Sequence, residues 1–153
     1  MIDKEKIAIA SDHGGYRLKE EIKKLLTDKG YEVVDFGAGN GGESVHYPIY
    51  GIKTAKAVSK GEFKRAILIC GTGIGMSIVA NKFPGVRGTL CHNLFTAKMS
   101  RQHNDSNLLI LGGRILDPVE AEGVVKMWLE TPFEGGRHQE RLDMITNIEK
   151  GIV

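Results

Sequence analysis

An apolar run that ends in a cysteine and is followed by alternating glycines constrains the fold of this chain more than any other stretch. Residues 67–70 read Ile-Leu-Ile-Cys, and glycine then stands at positions 71, 73 and 75. Three consecutive apolar residues predict a buried strand of a parallel sheet, and the glycines allow a tight turn whose N–H groups face an anion. We therefore expect Cys70 at the carboxyl end of a strand, where open α/β sheets bind ligands.

Four further apolar runs alternate with segments of helical periodicity. Besides 67–70, the predicted strands cover residues 6–10, 31–36, 86–91 and 108–111. The predicted helices run from Tyr16 up to Gly30 and over 48–59, 76–82, 94–102, 118–130 and about 138–150. Parallel strands need crossover connections, which helices provide. The pattern predicts one α/β domain over residues 1–153, with a three-layer Rossmann-like fold and a five-stranded parallel sheet covered by helices on both faces.

Charge and cysteine content narrow the classes of partner and compartment. The chain has 21 Lys and Arg against 19 Asp and Glu, a net charge of +2, and the signs are mixed along the sequence. This balance argues against nucleic acid or a membrane surface as partner. Cys70 and Cys91 are the two cysteines, and no signal peptide or long apolar run is present. These features predict a soluble protein of the reducing cytoplasm.

The glycine loop, residues 71–75, does not match the common nucleotide-binding motifs. A dinucleotide fingerprint needs a third glycine where this chain has Met76, and a P-loop needs a Gly-Lys-Ser/Thr sequence that does not follow here. Two interpretations stay open: a cradle for an anion smaller than a nucleotide, or a tight strand-to-helix turn with no ligand.

Cys70 and two histidine-containing motifs also have alternative interpretations. A free cysteine that ends an apolar run is often a small buried hydrophobe, but a helix amino terminus just after it favours a thiolate that can act as nucleophile or base. Asp12-His13 follows the first strand. Asp12 either caps the next helix, with His13 in the turn, or both residues face the same ligand groove as Cys70. His103-Asn104 precedes the fifth strand at the amino edge of the sheet, either as a helix stop or as substrate-binding groups.

Arginines supply candidate phosphate ligands. Arg137 and Arg141 are four residues apart, so they share one helical face, where they bind an anion together or pair with nearby glutamates in solvent. Arg114 follows the fifth strand and is a third candidate. A zinc site built from cysteines and histidines lacks paired ligand spacing, so we expect no metal.

Taken together, an ordered set of motifs resembles the type B ribose-5-phosphate isomerases, relatives of the galactose-6-phosphate isomerase subunits. The matching segments span nearly the whole chain: 11–15, Tyr47-Pro48, 70–75, 80–82, 100–105, and 134–138 with Arg141. The resemblance implies an aldose–ketose isomerase that acts on a phosphorylated pentose without metal or organic cofactor. His46 departs from the family, which commonly has an acidic residue before Tyr-Pro.

The resemblance also implies a role for each matching residue. Cys70 is then the base that moves a proton between C2 and C1 through a cis-enediolate, and Thr72 helps the loop amides hold the oxyanion. His103 opens the sugar ring with assistance from Asp12. The implied substrate-binding residues are His13, Tyr47, Gly71, Gly73, Ile74, Gly75, Asn104, Arg114, Arg137 and Arg141.

Oligomeric state and substrate follow from the same resemblance. The family's sites are shared across a homodimer, with His103 and Asn104 coming from the partner subunit and the C-terminal helix packing at the interface; whether dimers pair into tetramers stays open. Two alternatives are the same chemistry on a six-carbon sugar phosphate, such as allose or galactose 6-phosphate, and a non-catalytic module that binds sugar phosphates.

Overall fold

The computed structural model describes residues 3–153, so the first two residues of the predicted domain lie outside the described part. Its strands are β1 (Lys6–Ser11), β2 (Glu32–Asp35), β3 (Arg65–Cys70), β4 (Gly88–Leu90) and β5 (Leu108–Gly112). Its helices are α1 (Tyr16–Asp28), α2 (Tyr47–Ser59), α3 (Ile74–Ala80), α4 (Leu94–Gln102), α5 (Pro118–Glu130) and α6 (Arg137–Glu149). None of these helices combines the length and apolar character that crossing a bilayer requires.

The five strands form one parallel sheet in the order β2-β1-β3-β5-β4. Strand β3 lies at the centre, and its Cys70 is paired with Gly112 of β5. Helices cover both faces: α1, α4 and α5 pack on one, and α2 and α3 on the other. The predicted three-layer α/β architecture is confirmed.

Large side chains fill the core beneath α1, α4 and α5. Its fully buried members include Ile22, Leu26, Ile67, Leu109 and Trp128. Burying each such side chain contributes on the order of 2 kcal/mol to folding. The Trp128 indole also donates a 3.0 Å hydrogen bond to Ser106 Oγ, so its polar atom is satisfied inside the core.

Small residues dominate the core on the opposite face. The core between the sheet and helices α2 and α3 contains Met76, Cys70 and five buried alanines: Ala8, Ala10, Ala55, Ala66 and Ala80. Small side chains let α2 and α3 lie close to the sheet. Cys70 therefore lies at the edge of this apolar core, at the carboxyl end of β3.

Helix α6 lies outside the layers and packs on loops at the amino edge of the sheet. Leu142 is buried there, and the Glu149 carboxylate accepts hydrogen bonds of 3.1 and 3.0 Å from the amide of Gly85. Met144 and Ile148, on the same helix, are exposed. The predicted packing of this helix at a dimer interface stays a prediction.

The predicted bounds of one helix and one strand are wrong at both ends. Helix α3 covers 74–80 and not 76–82, because Gly73 adopts φ 80° and starts the helix two residues early, while Asn81 ends it. Strand β4 covers 88–90 and not 86–91. The Val86 amide bonds to the Phe83 carbonyl in a turn, so the ladder begins only at Gly88.

Candidate active site

The order of the strands reverses at the centre of the sheet, and open α/β sheets form their ligand crevice at the carboxyl edge of such a point. Strand β2 lies on one side of β1, and β3 lies on the other. The direction in which successive strands are added to the sheet therefore reverses between β1 and β3. Ligands of open α/β sheets bind at such a point. Asp12 follows β1 and Gly71 follows β3, and the Asp12 amide donates a 3.3 Å hydrogen bond to the Ile69 carbonyl. The two predicted loops are therefore neighbours.

Cys70 is held firmly between strand and loop. Its side chain is 5% exposed, and its carbonyl accepts a 2.8 Å hydrogen bond from the amide of Gly113. The next carbonyl, that of Gly71, accepts from the Arg114 amide at 2.9 Å. These two hydrogen bonds connect the segment after β5 to the segment after β3. Arg114 therefore lies next to Cys70, the predicted base.

Other groups lie directly against the glycines of the loop, where a side chain would not fit. A Cβ on Gly75 would overlap the ring of Tyr47, and a Cβ on Gly71 would lie 3.1 Å from Arg114 Nη1. Thr72 Oγ1 accepts a 3.2 Å hydrogen bond from the amide of Ile74. The loop therefore presents bare backbone at Gly71 and Gly75, beside a guanidinium group and an aromatic ring.

Asp12 and His13 follow β1 in the turn beside this loop. Asp12 Oδ1 accepts a 3.0 Å hydrogen bond from the Gly15 amide. A Cβ on Gly14 would lie 3.3 Å from Asp12 Oδ1 and from the Gly71 amide, and 3.4 Å from Arg114 Nη2. A carboxylate, a guanidinium and a loop amide thus converge near one glycine, an arrangement that binds a small polar molecule with a negative group.

A buried lysine holds the loop 36–46 beside this site, and the sequence patterns did not reveal it. Lys19 is 0% exposed, and its ammonium donates to Asp35 Oδ1 at 2.8 Å and to the Ala38 carbonyl at 2.6 Å. Burial opposes ionisation of Asp35, but hydrogen bonds from two lysines and the Gly37 amide outweigh it, so the pKa of Asp35 is lowered. In the sequence, Lys19 is one of many charges on an amphipathic helix, so periodicity gives no signal of its burial.

The remaining predicted residues, together with His138, form a second cluster, the histidine cluster, at the amino edge of the sheet. Its residues line an open cleft between the end of α4 and the start of α6: His103, Asn104, Arg137, His138 and Arg141. The rings of His103 and His138 stack at a centroid distance of 4.2 Å and an interplanar angle of 13°. Sequence reasoning missed His138, since only the fold brings its helix to His103.

Burial and the surrounding charges disfavour protonation of His138. Burial and the neighbouring His103 lower the pKa of His138 below its usual value, with further lowering from the two arginines and partial opposition from Glu134. Glu134 Oε2 lies 3.5 Å from His138 Nε2. Within residues 3–153, neither Arg137 nor Arg141 has a carboxylate oxygen within 4.0 Å, so the predicted alternative in which they pair with glutamates is wrong.

The two clusters lie at opposite edges of the same sheet. Cys70 is paired with the last residue of β5, whereas His103 and Asn104 precede its first residue. Five residues of strand span about 15 Å. Within one chain, the structure brings Asp12, His13, Tyr47, Arg114 and residues 70–75 together. It does not bring the histidine cluster to them.

A metal has one candidate site in the described part of the chain. His103, Glu134 and His138 place ligand atoms within 4.8 Å of one another, and neither cysteine joins such a group there. Zinc accepts this donor set, but a ligating imidazole directs its lone pair in the ring plane, and the two planes here are nearly parallel. These rings do not fit one ion in the observed arrangement. That the protein works without metal stays a prediction.

Comparison with known proteins gives a consistent result. The sequence pattern described as Ribose/Galactose Isomerase matches residues 7–145. Ribose-5-phosphate isomerase B of Escherichia coli is 47% identical over 146 residues, which cover 95% of this chain and 97% of that protein.

Two solved structures agree with the sequence comparison. That of the Clostridium thermocellum ribose-5-phosphate isomerase B has a TM-score of 0.93 at 52% identity and covers 97% of this chain and 99% of its own. The Mycoplasma genitalium ribose-5-phosphate isomerase B, solved with bound ribulose-5-phosphate, has a TM-score of 0.91 at 40% identity, with coverage of 95% and 96%.

Fold, crevice and comparisons define a sugar isomerase of the aldose–ketose class. The chain belongs to the ribose/galactose isomerase family. Membership of this isomerase family argues against the alternative of a non-catalytic binding module. The resemblance seen in the sequence motifs is confirmed.

Proposed function

We propose that this protein interconverts ribose 5-phosphate and ribulose 5-phosphate. The observation that carries the proposal is the position of Cys70, at the end of the central strand between the bare glycine loop and Arg114. The relatives named for this reaction are similar along almost the whole chain, and one of them was solved with ribulose-5-phosphate bound. These relatives favour a five-carbon substrate over allose or galactose 6-phosphate.

Proton transfer between two adjacent carbons is the central step. The Cys70 thiolate takes the proton from C2 of the open-chain aldose, and the electron pair moves into a C1–C2 double bond while the carbonyl oxygen becomes an enediolate oxyanion. The C2 hydroxyl then gives up its proton while O1 gains one, and returning a proton to C1 leaves a hydroxyl on C1 and a carbonyl at C2. Loop amides and Thr72 hold the oxyanion, and preorganised donors of this kind usually supply the largest share of such catalysis.

Ring opening and phosphate binding use the histidine cluster of a second subunit. His103 of one chain and Asp12 of the other act on the ring, with Asn104 on the sugar hydroxyls. The phosphate is held by His13 and Arg114 from one chain and by Arg137 and Arg141 from the partner. The observation that favours a homodimer is the separation of the clusters by the width of the sheet, since one small sugar phosphate cannot reach both within a chain.

Replacing Cys70 tests the assigned base. We expect Cys70→Ala to lower kcat/KM for ribose 5-phosphate by about 10³-fold, while Cys91→Ala, at the other buried cysteine, retains activity. Chelator should leave the wild-type rate unchanged. Iodoacetamide should alkylate Cys70, and ribose 5-phosphate should block that reaction. Full turnover by Cys70→Ala would reject the assignment, and a higher kcat/KM for a six-carbon phosphate would reject the proposed substrate.

A further inference from the structure

The stacked histidine pair connects the end of α4 with the start of α6. His103 caps the end of α4, and His138 lies in the first turn of α6. Their rings are 4.2 Å apart and 13° from parallel. A face-to-face contact of this kind restrains rotation of each ring about its Cβ–Cγ bond and contributes more than area burial alone. The plane of His103 is therefore set by a residue from a distant part of the sequence.

Of the two rings, that of His138 is the more buried, and the segment before it is anchored. The segment before it is fastened to α4 by a 3.1 Å hydrogen bond from the Glu134 amide to the Gln102 carbonyl, and the His138 amide donates to the Gly135 carbonyl at 3.1 Å. Its side chain lies 3.5 Å from Glu134. His138 is 7% exposed, whereas His103 is half-buried and faces the cleft. The half-buried ring of His103 thus rests on the buried ring of His138.

Charge separates the roles of the two rings. Two adjacent imidazolium ions repel, and the same cleft already holds two guanidinium groups and one carboxylate. With its pKa lowered by burial and by these neighbours, His138 serves as a neutral support. His103 is then the member of the pair to which the proposed function assigns the proton transfers of ring opening.

We propose that His138 is a positioning residue, whose imidazole face fixes the plane of His103 so that His103 can open the furanose ring of the substrate. The proposal rests on the proposed function. In ring opening, the anomeric hydroxyl loses its proton, the bond between C1 and the ring oxygen breaks, and the ring oxygen gains a proton. His103 must meet these atoms in one orientation, because proton transfer needs a hydrogen bond of good geometry. His138 itself does not touch the reacting atoms.

Ribulose 5-phosphate separates ring opening from the rest of the reaction. Its O5 carries the phosphate, so it cannot close a furanose ring, and its C1 proton can be exchanged through the enediolate without any ring step. Turnover of ribose 5-phosphate needs both steps. The experiment therefore compares kcat/KM for ribose 5-phosphate with the rate at which deuterium from D2O enters C1 of ribulose 5-phosphate, followed by NMR.

Three variants make the comparison. We expect His138→Ala to lower kcat/KM for ribose 5-phosphate about 10-fold and the exchange rate less than about 2-fold. His138→Phe keeps a flat aromatic face and should restore kcat/KM to within about 3-fold of wild type. Gln139→Ala, an exposed neighbour on α6, should match wild type in both assays.

Each other outcome overturns a defined part of the argument. An unchanged kcat/KM in His138→Ala removes the positioning role. Equal losses in turnover and exchange would mean that His138 supports α6 or the phosphate instead, and so would a Phe variant as poor as the Ala variant. A wild-type protein that neither exchanges ribulose 5-phosphate nor converts ribose 5-phosphate would reject the proposed function itself.

Discussion

His13 Nδ1 accepts a 3.1 Å hydrogen bond from the backbone amide of Val45. The bond connects the turn after β1 to the loop 36–46 and leaves the ring proton on Nε2, where it can be donated to a substrate oxygen. One interaction therefore sets both the tautomer of a proposed phosphate ligand and the position of a loop beside the site.

Breaking this bond should loosen the loop. A hydrogen bond of this kind contributes about 1 kcal/mol, which corresponds to about a 5-fold change in a local equilibrium. We expect His13→Leu to increase the amide exchange rate of Val45 about 5-fold, measured by hydrogen–deuterium exchange. Amides in β3 serve as the internal control, because they do not depend on the loop. Unchanged exchange at Val45 would show that the loop is held by other contacts.

Lys19 should be the most important charged side chain for stability. Lys19→Met leaves the Ala38 carbonyl without its donor and removes the 2.8 Å ion pair with Asp35. We expect the free energy of unfolding to fall by about 3 kcal/mol in urea denaturation, as when one partner of a buried pair is lost. Lys23 is the matched control, because it bonds the same carboxylate at 2.9 Å but is 30% exposed. Lys23→Met should cost less than about 1 kcal/mol, and equal losses would contradict this interpretation.

Asp35 should make stability depend on acid. Its folded-state pKa is lowered below the ordinary value of 3.8, so the carboxylate stabilises the fold at and above about pH 5, and this contribution is lost as the pH falls through the folded-state pKa. Asp35→Asn should therefore be less stable than wild type at pH 7, and the two unfolding free energies should converge toward pH 2. Asp28→Asn, at the exposed end of α1, should leave the wild-type pH curve unchanged.

Mixing two inactive proteins tests the shared site. Cys70→Ala and His103→Ala damage opposite clusters, so each homodimer has two defective sites. If one subunit supplies Cys70 and the other supplies His103, a heterodimer contains one site with both native residues. After subunit exchange, an equal mixture should recover about one quarter of wild-type activity. Recovery that never exceeds the sum of the separate variants would show that the clusters act within one chain or in another arrangement.

Local pattern determined most of the fold. Apolar runs of about five residues alternate with amphipathic segments, and this alternation alone predicts a parallel sheet covered on both faces. The boundaries at α3 and β4 were wrong because a left-handed Gly73 and an Asn81 side chain bonded to both backbone groups of Gly88 decide them. Such contacts depend on where neighbouring segments lie in space, and periodicity carries no information on that.

The ordered motifs determined the family and named the residues of the candidate site, since Cys70, the glycine loop and the arginines occur at recognisable positions in the sequence. Only the tertiary structure decided how they are grouped. The strand order places Asp12 beside Gly71 and leaves His103 at the opposite edge of the sheet. Helix packing stacks His138 on His103 and buries Lys19 against Asp35. The physical reason is that sheet order and helix docking are set by the packing of the whole core, whereas a motif records only which residues are close along the chain.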